Sequence, residues 1–282
     1  MIDLHTHSSR SDGTDTPEDL VAQAAAAGLT TLALTDHDTT AGWSEAAAAA
    51  QQHGIALVRG AELSTRHAGG SIHLLAYLFD PDHAELTAEM DRVVHDRLPR
   101  LQRIVERMAQ DGFDLTWEDV QAQLGTGRRT PSRPNIADAL IAKGYAEHRD
   151  EIFRRWLHHG SRYYVPYYSI DTVAAIRLVR AAGGVPVLAH PFASRRQRAV
   201  AEESLPELVE AGLVGIEAEH RDQNDEERAL ARRLAREHDL VVTGSSDFHG
   251  DGKINRLAEN TTAPEALQRI EATASGITPV LR

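Results

Sequence analysis

The chain has 282 residues, with 30 basic and 42 acidic side chains, a net charge of −12 and no cysteine. One α/β barrel, or one domain with an insertion, fits that length. The missing thiols exclude disulfides, thiolate metal sites and cysteine nucleophiles, and the acidity excludes broad binding of duplex DNA, which needs a basic face.

The elements follow in order. Ile2 to Leu4 reads as a strand. Thr16-Pro17-Glu18-Asp19 opens a helix, with a cap, a proline and first-turn acids, and Gly28 stops it. Thr31 to Thr35 is the next strand, and an alanine-rich helix covers Gly42 to Gln52. Ile55 to Val58 and Ile72 to Tyr77 are further strands. From about Asp80 to Pro166 the rhythm breaks. Leu98, Leu101, Ile104, Val105 and Met108 recur at helical spacing. Thr116 to Asp119 caps another helix, and Pro134 to Lys143 and Arg149 to Leu157 look helical. Strand pattern returns at Tyr163 to Val165. Strands follow at Val185 to Ala189, Val214 to Ala218 and Leu240 to Thr243, and Thr262-Ala-Pro-Glu265 reads as a capping box for a last helix. Such alternation predicts a mainly parallel sheet, open or closed into a barrel. Residues 80–166 are expected to form a helical insertion, with the barrel built from 1–79 and 167–282. No run of about 18 apolar residues suggests a membrane helix, and Met1 to His7 lacks the pattern of a signal peptide. A cytoplasmic protein without membrane contact is expected.

Fifteen residues are histidine, and their placement is informative. His5 and His7 end the first strand at i, i+2 and so project to one side. Asp12 follows in a turn. Asp247 and His249 repeat the spacing after the last strand. His37, Glu62 and His190 follow other strands. His73, in Ser-Ile-His-Leu-Leu, would by itself read as a hydrogen-bonded core residue. Asp36 and Asp38 suit loop capping or ligand support as well as ligation. In an α/β barrel, strand ends meet on one face, where sites are built. Nine nitrogen and oxygen donors exceed what one zinc takes from protein, about three or four. Two or three clustered divalent ions suit the set better. Donors without sulfur allow Zn, Mn or Fe.

This arrangement resembles the PHP family, the polymerase and histidinol phosphatase domains. His5-x-His7 with Asp12, Thr35-Asp-His37, Glu62, His73, His190-Pro191 and Asp247-x-His249 match its dispersed motifs in order. The resemblance implies a distorted (β/α)7 barrel and a trinuclear metal centre. In it, Glu62 would bridge two ions, with Asp12 and His249 on one flank and His73 and His190 on the other. It implies phosphoester hydrolysis by metal-activated hydroxide.

Within the insertion, Arg128-Arg129-Thr-Pro-Ser132-Arg133-Pro134-Asn135 precedes a helix. Arginine suits bidentate phosphate recognition, and a helix start favours anions. Arg129, Ser132, Arg133 and Asn135 are therefore candidate substrate contacts, although Arg128 reads as an exposed basic residue. His220, at a strand end, fits substrate contact or the surface equally. Arg195, Arg196 and Arg198 fit a solvated helix face, and His158 and His159 have no evident partner. The segment resembles a PHP subgroup carrying Gly-Arg-Pro-His followed by Ile-Ala; here Asn135 replaces the histidine. The subgroup resemblance implies removal of the 3′-phosphate from nucleoside 3′,5′-bisphosphates, such as pAp to AMP. Alternatives are 5′-3′ exonuclease action on short 5′-phosphorylated single-stranded RNA and histidinol-phosphate phosphatase, which would want an acidic pocket for the ammonium. A non-catalytic PHP module would lack ligands, whereas all nine are present.

Overall fold

Pairing begins in parallel: β1 (Ile2–Thr6) lies beside β2 (Thr31–Leu34), and β2 beside β3 (Ala56–His67). This computed structural model describes residues 1–124, 131–194 and 200–281. Ala68 and Gly69 then adopt left-handed φ values of 46° and 80°. The tight turn they make sends β4 (Gly70–Tyr77) back antiparallel to β3. β4 is also antiparallel to β6 (Val185–Leu188), after which β6, β7 (Gly215–Glu219) and β8 (Val241–Gly244) are parallel. A two-residue β5 (Ile170–Asp171) pairs with the far end of β3. His7 N donates to Phe248 O and Asp247 N to His5 O, each at 2.9 Å, so the two edges of the sheet nearly meet. The result is a distorted, nearly closed seven-stranded barrel.

Outer helices cover it. The side chain of Thr16 accepts from Asp19 N at 3.1 Å at the start of α1 (Pro17–Ala26), as expected. α2 (Trp43–His53) ends on Gly54 at φ 67°, a conformation that costs glycine little. α7 (Thr172–Ala181), α8 (Leu205–Glu210) and α9 (Asp225–Glu237) alternate with the later strands.

The barrel interior is apolar low down. Leu4, Ala33, Val58, Leu75, Tyr77 and Val187 form one buried cluster, with Ile270 of α10 (Pro264–Thr273) beneath. Tyr77 Oη crosses this interior to donate to Leu4 O at 2.8 Å. Every second residue of a strand shares a face. The face of β3 that starts with Val58 therefore continues through Gly60, Glu62 and Ser64. It turns polar where the parallel strands end.

Between β4 and β5 the chain leaves the sheet as α3 (Ala84–Gln110), α4 (Trp117–Ala122), α5 (Arg133–Ala142) and α6 (Arg149–Ile152). A π-helical turn, Phe153–Leu157, follows α6. These elements bury their own apolar cluster, including Leu101, Ile104, Met108, Ile136, Leu140 and Ile152. Two sequence expectations fail. Tyr163 to Val165 is not a strand but irregular chain. Tyr163 and Val165 join the insertion's core, and Val165 O accepts from Arg100 Nε. The box at Thr262 does not form either. Thr262 Oγ1 instead exchanges hydrogen bonds with Gly244 O and N, at 2.8 and 3.1 Å, tying down the end of β8. Among the described residues no helix is long and apolar enough to cross a membrane.

Candidate metal centre

Each donor comes from a strand or the loop just beyond it. His5 lies in β1 and His7 follows it; His37 follows β2; Glu62 and His73 lie in β3 and β4; His190 follows β6; Asp247 and His249 follow β8. Glu62 is the hub. Its Oε2 lies 3.2, 3.1 and 3.2 Å from nitrogens of His5, His7 and His37, and its Oε1 lies 2.7 and 3.3 Å from His73 and His190. Asp247 Oδ1 is 3.5 and 3.4 Å from His5 and His7. Asp12 Oδ1 is 3.1 Å from His249 Nε2, and its Oδ2 is 3.8 Å from His37 Nε2. The structure thus brings all nine sequence candidates together at one end of the barrel.

The donor atoms fit cations. His7, Asp12, His37 and His249 converge within 4.8 Å, as do His5, His7, Glu62 and Asp247, and also His37, Glu62 and His73. His7 Nδ1, Asp12 Oδ1, Glu62 Oε1, His73 Nδ1 and His249 Nε2 are buried without a hydrogen-bond partner. Asp12 Oδ1 and His249 Nε2, at 3.1 Å, and Glu62 Oε1 and His73 Nδ1, at 2.7 Å, stand close enough to bond yet are not aligned to do so. Buried polar atoms are normally paired, and lone pairs aimed at a common point are what a metal ion satisfies.

Charge and burial in the cluster point the same way. Burial opposes charge on Glu62, but His73, His37 and His5 hold its carboxyl well below the usual range. Burial likewise opposes a proton on His5, yet Glu62, Glu217 and Asp247 push it well above the usual imidazole value. Burial, with Lys253 and His7 nearby, pushes His249 down to about 4. Burial opposes a proton on His7 too, but Asp247 and Glu62 push it up to about 9; its ring lies 4.1 Å from that of His249, so neighbouring imidazoles are driven in opposite directions.

Backbone strain concentrates here. Asp38, His190 and Asp247 have φ of 51°, 33° and 53°, a region that residues with a Cβ seldom occupy. The sequence suggests that Asp247 and His249 share a strand face. In fact β8 stops at Gly244, and a turn brings the pair together, with His249 Nδ1 2.8 Å from Asp247 O.

Asp36 and Asp38 stand outside these groups. Asp36 accepts from Ser8 N, Ser8 Oγ and Ser11 Oγ at 2.6–2.9 Å, fixing the loop that carries Asp12. Asp38 accepts from Ser64 N and Oγ, both at 2.8 Å, and pairs with Arg97.

Sequence reasoning missed Glu217. Fully buried on β7, it lies 3.0 Å from His5 Nδ1, and its other oxygen accepts from His190 N at 2.8 Å. A proton on His5 Nδ1 leaves the Nε2 lone pair facing the cluster. The available signal was an acid flanked by Ile216 and Ala218 in the middle of a buried strand. Glu217→Gln is expected to weaken metal affinity about 10- to 100-fold, read by competition with a fluorescent chelator. Unchanged affinity would remove Glu217 from that role.

Of the substrate candidates, Ser132 and Arg133 line a cavity of about 990 Å³ that also opens onto Asp12, His37, Glu62, His73, Asp247 and His249. Arg133 Nη1 donates to Leu157 O at 2.6 Å. Asn135 Oδ1 accepts from Ser132 N at 2.9 Å and so caps α5. Arg128, Arg129, Arg195, Arg196 and Arg198 lie outside the described residues. His220 is not on the surface. It is fully buried, with Nε2 3.5 Å from Asp247 Oδ2 and its ring 5.0 Å from that of His190. His158 and His159 do reach the cavity, and the ring of His159 lies 4.3 Å from that of Tyr164, tilted by 47°. The cavity wall also includes Arg97, Arg100, Arg149, Tyr167 and Lys253, which the sequence did not single out. Among the described lining residues, eight are Arg or Lys and five are Asp or Glu, so the wall is cationic despite the acidic chain.

Residues 3–123 match the PHP domain. A 5′-3′ exoribonuclease of Haemophilus influenzae is 34% identical over 88% of this chain and 89% of its own. A 3′,5′-nucleoside bisphosphate phosphatase of Chromobacterium violaceum is 31% identical over 92% and 91%. A solved metal-dependent phosphoesterase structure from Bifidobacterium adolescentis superposes with a TM-score of 0.94 at 41% identity, covering 97% of this chain and 96% of that one. A buried cluster of histidines and carboxylates at the mouth of such a barrel, with relatives matched over nearly their full length, leaves one conclusion: the chain belongs to the PHP family and is a metal-dependent phosphoric ester hydrolase.

Proposed function

We propose that the protein removes the 3′-phosphate of nucleoside 3′,5′-bisphosphates, using two or three divalent ions (Mn, Zn or Fe) held by His5, His7, Asp12, His37, Glu62, His73, His190, Asp247 and His249. The observation that carries the reading is a single cavity with two chemically different walls. One is the donor cluster, and the other is the arginine-rich face of the insertion. A substrate with two phosphates uses both. The Chromobacterium violaceum relative carries that activity in its name.

When bound, the ions supply a water nucleophile at neutral pH and neutralise phosphoryl oxygens. The chain's own groups do the rest. Glu217 orients His5 and steadies His190 N. Lys253 Nζ donates to Asp247 Oδ2 at 3.0 Å and holds that carboxylate in place. The insertion forms the opposite wall of the cavity onto which the cluster opens. Arginines of the insertion, Arg133 among them, take the second phosphate by charge-assisted hydrogen bonds. A cationic wall disfavours histidinol phosphate, whose ammonium it would repel.

The second reading is stepwise release of nucleotides from the 5′ end of short single-stranded RNA. The cavity volume favours it, lying near the top of the range for small-molecule pockets, about 300–1,000 Å³. The name of the Haemophilus influenzae relative agrees.

Phosphate release by metal-loaded protein tests the main reading. Adenosine 3′,5′-bisphosphate should be turned over at least about 100-fold more efficiently than adenosine 3′-monophosphate, the worth of two or so charge-assisted hydrogen bonds to the 5′-phosphate. Equal turnover would overturn it. Arg133→Ala should cost more on the bisphosphate than on 4-nitrophenyl phosphate; an equal loss would assign Arg133 to the fold through its bond to Leu157.

A further inference from the structure

We infer that Arg97, Arg100 and Tyr167 form the seat of the non-scissile phosphate, one ribose away from the donor cluster. This rests on the bisphosphate reading above and names the groups that would recognise the second phosphate.

Arg97 and Arg100 lie three residues apart on α3 and so share a helix face. Both are more than nine-tenths buried, at 6% and 4% exposure, yet both line the cavity. Long cationic side chains are seldom buried without a partner. Arg97 Nη2 donates to Ser64 Oγ at 2.8 Å and pairs with Asp38. Its Nε is buried and has no acceptor. Arg100 is anchored by Nε to Val165 O at 2.8 Å, which aims the rest of its guanidinium. The ring of Tyr167 carries both, with the guanidinium carbons 5.7 and 4.2 Å from its centroid. Two guanidinium groups and a phenol on one cavity wall offer hydrogen bonds from several directions. That array suits a tetrahedral dianion better than a planar carboxylate, which one arginine fork can satisfy.

Position selects which phosphate. Glu62, the hub of the cluster, and Ser64, the partner of Arg97, are two residues apart on one face of β3. Along a strand that is about 6.6 Å. It is a gap of the order that a single ribose spans between its 3′- and 5′-phosphates. With the scissile phosphate at the cluster, the other falls beside Arg97.

The test separates this seat from the activity. Isothermal titration of adenosine 5′-monophosphate, which has no 3′-phosphate to lose, into the metal-loaded protein reads the seat without catalysis. Tyr167→Phe keeps the ring under both arginines and removes only the hydroxyl. It should weaken that binding about tenfold. Arg100→Gln should weaken it further, about 30-fold or more, because a charged partner is lost. In the metal-loaded enzyme, both variants should lower the preference for adenosine 3′,5′-bisphosphate over adenosine 3′-monophosphate by similar factors, chiefly through KM. Thermal midpoints verify folding. Unchanged binding and unchanged preference in a folded Tyr167→Phe variant would overturn the seat, as would equal losses on both nucleotides. Wild-type protein that ignores the bisphosphate but binds adenosine 5′-monophosphate through Arg100 would sink the proposed reaction and leave the seat standing.

Discussion

Glu62→Gln is expected to cut kcat/KM for phosphoester hydrolysis at least about 1,000-fold, the equivalent of roughly 4 kcal/mol of transition-state stabilisation. Bound metal should fall in parallel. The substitution changes almost no volume. It removes one negative charge from a carboxylate that is 1% exposed and lies within 3.3 Å of five imidazoles. An amide offers one oxygen where the carboxylate offers two, so it cannot serve both flanks of the cluster. Mass-spectrometric metal counting and steady-state kinetics read the result. Full metal content with less than a tenfold loss of rate would show that Glu62 does not join the ions. Glu62→Asp provides a second arm. It keeps the charge but shortens the reach, and should retain more metal than activity.

Removing the metal should have the other large effect. Chelation is expected to leave less than about 1% of activity, restored by Mn²⁺ or Zn²⁺, since the ions generate the nucleophile. Stability should fall as well. Without cations, six imidazoles and three carboxylates are packed together, most of them in the interior, and buried polar groups without partners are costly. By linkage, an ion present at 1,000 times its Kd adds about 4 kcal/mol. In a chain of this size that moves the thermal midpoint by roughly 8 °C. Calorimetry of chelated and reloaded protein measures the shift. Thoroughly chelated protein with full activity would contradict the metal-dependent assignment at its root.

Much of the centre was legible because its residues break the pattern around them. A barrel strand is apolar to its end, so His5, His37, Glu62 and His190 stand out beside the apolar runs they interrupt or follow. The spacing of His5 and His7 carries its own geometry, because alternate strand residues share a side. The caps at Thr16 and Thr116 were equally local, since a helix start is specified within four residues. Local rules failed where a distant group competed. Thr262 has the chemistry of a cap but bonds to Gly244 instead.

Other features required the fold. His73 reads as a core residue because it comes early in its strand, away from the end where sites form. β4 runs antiparallel to its neighbours, so its beginning lies where theirs finish. Periodicity reports which face a residue occupies, not which way the strand points. Glu217 looked ordinary because its partner, His5, is encoded far away in the chain, and His220, which the sequence left between substrate contact and surface, is buried beside Asp247. Arg97 and Arg100 were hidden differently. In an arginine-rich chain a basic residue on a helix reads as solvated surface, and only the docking of α3 over the barrel turns those two inward. The sequence by itself determined the clustering of histidines and carboxylates at strand ends, the alternation of strands and helices, and the class of chemistry, because these depend on residue type and short spacing. Tertiary structure alone decided strand direction, the orientation of the ligands and the cationic wall facing them, because these arise from contacts between segments that sequence distance does not encode.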